Sequence, residues 1–206
     1  MSRGRGRSLP AAVPFSEPNA SSAMLKEDLA RTWTMLRPRH SRPGAAFEFL
    51  CTPGVHAVVV FRFAHWLIGR PLLLRVFLEP LRVLLYNWVR TAWGIQIGRT
   101  ARIGPGFYVG HFGGILVGRD VVIGKNACIS QGVTIGLGGR GERYGAPVIG
   151  DDVYIAPGAK LFGKIRIGDN VSIGANAVVY KDIPDHAVVA AAPGYKILYF
   201  KNERPA

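Results

Sequence analysis

An aliphatic residue recurs at every sixth position through most of the second half of the chain. Glycine often follows it directly, and a small or branched residue stands four positions on, with Phe107 as the main departure. A period of six belongs neither to a helix nor to an alternating strand but to a parallel β-helix, in which each six residues form a short strand and a corner. We therefore predict a mainly β fold, with a β-helix over residues 95–190. The residues in register are Ile97, Ile103, Val109 and Ile115, then after a slip of two positions Val117, Ile123, Ile129 and Ile135, and finally Ile149, Ile155, Leu161, Ile167, Ile173 and Val179.

One segment interrupts the repeat. It reads GLGGRGERYGAP, from Gly136 to Pro147, and is too polar and too rich in glycine to form a coil of the solenoid. We predict a loop over residues 136–148 that projects from the β-helix. Loops held on a rigid scaffold often carry function, so this loop is a candidate part of a site.

The first 94 residues have a different character. Residues 1–22 are rich in Arg, Gly, Pro and Ser, and we expect a disordered basic tail there. Residues 23–94 have helical periodicity, and the segment VHAVVVFRFAHWLIG is short for a membrane span. The longer segment PLLLRVFLEPLRVLLYNWVRTAWG is interrupted by charged residues at helical spacing, which favours a helix packed on other helices. For this segment, a helix lying on a membrane surface is the alternative. At the other end of the chain, we expect residues 191–206 to form a C-terminal tail.

Charge and cysteine content restrict the partners and the compartment. The net charge of +13 indicates attraction to anions, but many of the arginines lie in the first 42 residues, so the charge says less about a site. We expect the basic tail to be solvated and expect no nucleic-acid partner. Cys51 and Cys128 are too few for a disulfide framework, and no apolar segment follows the basic start. We therefore expect no signal peptide and a cytoplasmic location.

Two stretches resemble a known family. FRFAHWLIGR, and after it IGRTARIGPGFYVGHFGGILVGRDVVIGKNACISQGVTIG, are similar to the serine acetyltransferases, which are left-handed β-helix enzymes. The resemblance runs roughly from Leu25 to Leu198, and the helical start, with KEDLARTWTMLRP, is more similar to the smaller exopolysaccharide acetyltransferases of the colanic-acid type. It implies acetyl-CoA as donor, a hydroxyl acceptor, and homotrimers with active sites between neighbouring β-helices. The short helical part favours a single trimer, with a hexamer as the alternative.

His111 is the candidate catalytic base. If Val109 points inward, His111 is the third residue of its hexapeptide and points outward. A lone histidine is usually packed or solvated, but the resemblance puts the catalytic histidine of the family at this position. A hydroxyl is too weak an acid to attack a thioester unaided, and a neutral imidazole can accept its proton and return it to the departing CoA sulfur.

Several residues depart from the pattern of the family. Gln96 stands where an aspartate holds the catalytic histidine, and Gly110 stands where an aspartate helps to bind serine. In the loop, Gly145 and Ala146 replace an arginine and a histidine. A zwitterion without counter-charges binds poorly, so we expect a saccharide hydroxyl of an exopolysaccharide or its precursor as the acceptor, with L-serine as the alternative. Gln96 can still orient the imidazole through its amide oxygen, and the predicted acceptor site comprises Tyr108, Gly110, Phe112 and Tyr144.

The donor site is implied by the resemblance. Backbone groups of the loop and of the later coils should contact the pantetheine arm of acetyl-CoA, and nearby cations should meet its phosphates. Lys160 and Lys181 are further candidates for the phosphates, although each could equally lie on a solvated face. The residues that we assign to cofactor binding are Gly136, Leu137, Gly138, Gly139, Arg140, Pro157, Ala175 and Lys196.

Two other classes of function share this fold. The γ-type carbonic anhydrases need three histidines on zinc, and only His111 and His186 lie in or near the repeat, so we expect no metal site. A basic, non-catalytic trimeric scaffold that binds anionic partners stays open as the other alternative. Retention on immobilised CoA separates the enzyme from the scaffold.

Overall fold

The computed structural model describes residues 20–36 and 42–191. Most of the predicted basic tail and most of the predicted C-terminal tail, including Lys196, lie outside these residues. Four helices come first, and strands with short turns follow as far as residue 189, as the sequence predicts. The helices are α1 (Ala20–Leu36), α2 (Arg42–Cys51), α3 (Pro53–Ile68) and α4 (Leu72–Trp93).

The strands form three parallel sheets that make the faces of a solenoid. One sheet has the order β1-β4-β7-β10-β13, the second β2-β5-β8-β11 and the third β3-β6-β9-β12-β14. Since successive strands fall in successive sheets, the chain winds round one axis and confirms the predicted β-helix. The strands are β1 (Ile95–Ile97), β2 (Arg102–Ile103), β3 (Tyr108–Val109), β4 (Ile115–Val117), β5 (Val122–Ile123), β6 (Cys128–Ile129), β7 (Thr134–Gly136), β8 (Val148–Ile149), β9 (Tyr154–Ile155), β10 (Lys160–Phe162), β11 (Arg166–Ile167), β12 (Ser172–Ile173), β13 (Val178–Val179) and β14 (Val188–Val189).

The register explains the period of six. Leu116 pairs with Thr134, 18 residues along the chain, so one coil contains three hexapeptides. The next strand in that sheet pairs Thr134 with Lys160, and the longer interval accommodates the predicted loop. The recurring aliphatic residues point into the solenoid, where each is nearly or fully buried. Burial of one aliphatic side chain per six residues provides a continuous core along the axis.

A buried ion pair joins the helices to the first coil. Arg62 of α3 donates to the Asp28 carboxylate of α1 at 2.8 Å and to the carbonyl oxygens of Ile103 and Gly104 at 2.7 and 2.6 Å. The Asp28 carboxylate also accepts the N–H of Phe107 at 2.8 Å. Phe107 departs from the small residues of the repeat at the point where the helices dock, and its side chain is fully buried. The helical part is therefore fixed to the β-helix through polar contacts to its backbone.

Within the described residues, no single helix is long and apolar enough to cross a bilayer. One pair, Gly44–Cys51 with Pro53–Ile68, reaches that length and composition together, but it is bent by 55°.

Candidate active site

His111 lies on a bulge between β3 and β4. Eight positions separate Val109 from Val117, whereas six separate their register partners Ile129 and Ile135. The two additional residues loop outward, so that the side chain of His111 is exposed. Gly113 and Gly114 close the bulge with φ of +98° and +65°, which side chains resist. The slip of two positions in the repeat is therefore the feature that lifts the histidine out of the wall of the solenoid.

Aromatic side chains of the helices brace this bulge. The ring of Phe112 meets Trp93 edge-on, with 5.9 Å between centroids, and the carbonyl oxygen of Trp93 accepts the N–H of Gly113 at 2.9 Å. The ring centroid of Trp93 lies 6.0 Å from that of His56 in α3 and 6.2 Å from that of Trp88 in α4. Aromatic pairs stabilise beyond their burial, so the backbone beside His111 is supported by α3 and α4.

The start of α3 approaches the β-helix closely beside His111. A Cβ atom on Gly54 would collide with the carbonyl oxygen of Val109, so only glycine allows α3 to lie against β3 here. Thr52 donates its hydroxyl to the carbonyl oxygen of Glu48 at 2.7 Å, across the junction of α2 and α3. The two helices therefore form a wall over the third sheet, and a pocket is left between them and the bulge.

The pocket at His111 has a volume of about 400 Å³. Its floor is the outward surface of the third sheet, where Tyr108, Cys128 and Tyr154 follow one another in register. Glu48 brings a carboxylate from α2, which the sequence did not indicate because α2 lies far from the repeat along the chain. The lining residues are Leu36, Glu48, Cys51, Thr52, Pro53, Gly54, Tyr108, Gly110, His111, Phe112, Cys128, Ser130 and Tyr154.

Cys128 is the thiol nearest in sequence to this chemistry, and it lines the pocket. Burial raises the pKa of the Cys128 thiol, although the positive charge of Arg31 acts in the opposite direction. A thiol kept protonated at neutral pH is a poor nucleophile. The environment of Cys128 therefore suits a structural side chain better than a covalent catalyst.

The predicted acceptor residues are only partly brought together. Tyr108, Gly110 and Phe112 line the pocket with His111, whereas Tyr144 is exposed on the loop and does not line it. Gln96 points outward from β1, in the first sheet, beside Leu116. Among the described residues, no hydrogen bond joins Gln96 to His111. That Gln96 orients the imidazole of His111 therefore stays a prediction, which no contact among the described residues supports.

The predicted loop folds back on the solenoid and forms a second cleft. Gly138 and Gly145 exchange two backbone hydrogen bonds at its base, and a 3₁₀ turn covers Gly141–Arg143. The N–H of Lys164 donates to the carbonyl oxygen of Arg143 at 3.1 Å and holds the loop against the turn after β10. The cleft has a volume of about 500 Å³ and is lined by Gly139, Arg140, Arg143, Phe162, Gly163, Lys164, Ile165, Tyr180, Lys181 and Asp182.

This loop cleft is basic and partly aromatic. Among the described residues, four cationic side chains and one carboxylate line it, and that carboxylate, of Asp182, already accepts the N–H of Arg166 at 2.8 Å. The rings of Phe162 and Tyr180 are stacked, with centroids 6.3 Å apart. Cations bind phosphate oxygens, and aromatic faces bind flat rings, so the cleft suits an anionic ligand with an aromatic part.

The predicted cofactor residues fall in three places. Gly139, Arg140 and Lys181 line the loop cleft, while Gly136, Leu137 and Gly138 lead into the loop. Pro157 and Ala175 lie in turns of the β-helix outside the cleft lining. Lys160 donates instead to the carbonyl oxygen of Gly132 at 2.5 Å and to the Thr134 hydroxyl at 3.1 Å, away from the cleft. The sequence did not single out Arg143, Phe162 or Tyr180, because only the folded loop brings them together.

Within residues 20–36 and 42–191, no group of three or more His, Cys, Asp or Glu side chains is placed to hold a metal ion. His111 and His186, the two histidines in or near the repeat, lie towards its opposite ends. The side-chain amide of Asn170 donates a hydrogen bond to Nδ1 of His186 at 3.0 Å.

Comparison with known proteins supports the family. Residues 146–181 match the model described as bacterial transferase hexapeptide (six repeats), and residues 114–138 match the hexapeptide repeat of succinyl-transferase. The serine acetyltransferase of Synechococcus elongatus is 38% identical over 157 residues, which are 75% of this chain and 61% of that protein. The serine acetyltransferase of Bacillus pumilus is 38% identical over 171 residues, which are 83% of this chain and 75% of that protein.

A solved structure has the same architecture. The serine acetyltransferase of Neisseria gonorrhoeae in complex with serine superimposes with a TM-score of 0.65 at 29% identity, over 84% of this chain and 67% of that chain. The chain spans about three fifths of the length of the Synechococcus relative. These relatives bear the name serine acetyltransferase, so the comparisons support the family and not the colanic-acid type within it. On the strength of the repeat, the β-helix and these identities, the chain belongs to the serine acetyltransferase family of hexapeptide-repeat proteins.

Proposed function

We propose that this chain is an acetyl-CoA-dependent O-acetyltransferase that acts on the hydroxyl of L-serine. The observation that carries the proposal is the exposed His111 on its bulge, at the edge of a pocket that also contains the Glu48 carboxylate. The names of the relatives support L-serine, whereas the departures in the sequence favoured a saccharide. The Glu48 carboxylate from α2 favours L-serine over a saccharide, because it supplies a counter-charge for the ammonium group of serine.

The chemistry follows from the groups in the pocket. With the ammonium of serine near Glu48, the hydroxyl can approach the imidazole of His111. His111 accepts the hydroxyl proton while the oxygen attacks the thioester carbonyl of acetyl-CoA, and the C–S bond breaks as the tetrahedral intermediate collapses. The proton then passes from the imidazolium to the departing CoA thiolate. The raised pKa of Cys128 supports direct transfer over an acetyl-cysteine intermediate.

A saccharide hydroxyl is the second candidate acceptor. No lysine or arginine is among the described residues that line the His111 pocket, and Arg31, whose charge reaches Cys128, donates to the carbonyl oxygen of Gly106. The lining therefore presents no cation to the carboxylate of serine. Tyr108, Phe112 and Tyr154 offer aromatic faces of the kind on which sugar rings stack. This chemistry would suit a neutral acceptor.

We further propose that the loop cleft holds acetyl-CoA, with its phosphates near Arg140 and Lys181. The enzyme would work in the cytoplasm as a homotrimer. In that assembly the loop of one protomer would complete the site beside His111 of its neighbour. The resemblance to the family and the anionic nature of CoA support this arrangement, since the cleft presents four cations.

The acceptor is decided by thiol release from acetyl-CoA with L-serine and with a panel of nucleotide-linked and lipid-linked sugars. We expect turnover with L-serine, and we expect Glu48→Gln to raise the KM for L-serine by about 10- to 100-fold, since hydrogen bonds to charged groups contribute about 1.5–3 kcal/mol. The KM for acetyl-CoA should not change. Asp120→Asn, which removes an exposed carboxylate outside both pocket linings, is the matched control. Turnover with a sugar and not with L-serine would select the second candidate.

The donor site is tested by the double substitution Arg140→Gln with Lys181→Gln. Loss of two charge-assisted contacts should raise the KM for acetyl-CoA by about tenfold or more, while the KM for the acceptor is unchanged. Initial rates at varied acetyl-CoA give the result. Lys125→Gln removes an exposed cation outside the cleft and should have no effect. An unchanged KM for acetyl-CoA in the double variant would place the cofactor phosphates elsewhere.

A further inference from the structure

Helix α4 presents a long apolar face to solvent. Phe77 is 80% exposed, Leu73 78%, Leu72 72%, Leu84 67% and Val76 63%. These residues recur at the three- and four-residue spacing that places them on one side of a helix. In a 22-residue helix, Val89 is the one residue that is fully buried. Soluble proteins rarely expose a contiguous apolar surface of this kind unless it binds something.

Two of the charged side chains of α4, Glu79 and Arg82, lie on its other side. Glu79 accepts from Arg82 at 2.7 Å and from Arg99 of the first coil at 3.1 Å, so this ion pair network faces the β-helix. A surface helix of a soluble protein normally turns its apolar stripe inward and its charges outward. α4 packs Leu85, Tyr86 and Val89 on the core but turns a second apolar stripe outward, and this outer face is suited to contact with an apolar phase.

The charges around this face indicate which partner covers it. Arg75 and Arg90 on the helix are exposed, and the helix's one acidic residue, Glu79, is already neutralised by Arg82 and Arg99. The whole chain carries a net charge of +13. A second copy packed on this face would bring like charges together. An anionic lipid surface complements both the apolar side chains and the cations.

We propose that α4 is an interfacial helix that attaches the protein to anionic membranes. The helix, about 33 Å long at 1.5 Å per residue, lies in the plane of the membrane with Leu73, Phe77 and Leu84 among the lipid chains. Its exposed arginines meet the headgroup phosphates, and the β-helix stands on the aqueous side. The attachment is independent of acetyl transfer, so it holds whichever acceptor the enzyme uses.

The test is flotation of the full chain with vesicles of phosphatidylcholine, alone and with about 30% phosphatidylglycerol, at low and at high salt. We expect binding to the anionic vesicles, weakened by salt, and a fall of about tenfold or more in the partition coefficient for Leu73→Gln with Phe77→Gln. Both side chains are exposed, so the substitution should not disturb folding. Val188→Gln, at an 81% exposed position of β14, is the matched control and should bind like the wild type.

Three outcomes would overturn this proposal. The first is that the wild type does not bind anionic vesicles. The second is that binding persists unchanged in the Leu73→Gln with Phe77→Gln variant. The third is that this variant has a smaller mass than the wild type by sedimentation equilibrium without lipid, since the face would then be an interface between copies of the chain.

Discussion

Replacing His111 with alanine is expected to lower kcat by about 10²–10⁴-fold, which is the contribution of a general base. The KM for both substrates should change little, because the imidazole acts on the proton that moves in the transition state. Initial rates of thiol release at varied acetyl-CoA and at varied acceptor measure both effects.

The control for this substitution is His186→Asn. His186 is the other histidine near the repeat, it is exposed, and its φ of +61° is one that asparagine tolerates. The variant should retain the wild-type rate within about twofold, because His186 is remote from the pocket lining. If His111→Ala keeps its rate, the base lies elsewhere. If the wild type itself releases no thiol with any acceptor, the non-catalytic scaffold gains support.

Replacing Arg62 with alanine is expected to lower the free energy of unfolding by about 3–5 kcal/mol, the typical effect of breaking a buried ion pair. Arg62 and Asp28 are 2% and 1% exposed. The substitution leaves the Asp28 carboxylate and the carbonyl oxygens of Ile103 and Gly104 without their cation. Urea unfolding at a fixed protein concentration, followed by far-UV circular dichroism, measures the loss.

Arg102→Ala is the matched control, because Arg102 is an exposed arginine of β2 in the same coil. Its effect should stay within about 0.5 kcal/mol. The double variant Asp28→Leu with Arg62→Met should be less destabilised than the sum of the single changes, since it leaves no buried charge unpaired. If Arg62→Ala lowers the free energy of unfolding by less than about 1 kcal/mol, the buried Asp28–Arg62 pair is not needed for stability.

The buried Asp28–Arg62 pair also affects the geometry of the His111 pocket. Arg62 fixes α3, and the first residues of α3, with Glu48 of α2, form one wall of the His111 pocket. A helix that moves by an ångström would displace the Glu48 carboxylate relative to His111. We therefore expect the residual folded fraction of Arg62→Ala to bind its acceptor weakly as well.

The sequence predicts the solenoid well because its cause is local. Every six residues must supply one inward aliphatic side chain and one corner. This requirement repeats along the chain and does not depend on distant segments. The loop was predicted for the same reason, since GLGGRGERYGAP cannot supply inward side chains. The position of His111 outside the core also follows from the repeat, although the slip of two positions reveals its bulge only in the structure.

The site depends on contacts between segments that are far apart in the chain. Gln96 and His111 are close in sequence, but β1 belongs to the first sheet and the pocket floor to the third, so no hydrogen bond joins the two side chains in the described residues. Glu48 enters from a helix whose local sequence has no catalytic pattern.

By itself, the sequence determined the parallel β-helix, its loop and the outward position of His111, because these follow from a period that each short segment enforces on the next. The tertiary structure decided which side chains surround His111. It also decided that Leu73, Phe77 and Leu84 of α4 are exposed to solvent, while Glu79 pairs with Arg99 of the first coil. Docking of the helices determines both, through the Asp28–Arg62 pair and the close approach of Gly54 to β3. Hydrophobic periodicity shows that a helix has an apolar stripe, but only packing selects the side that is covered.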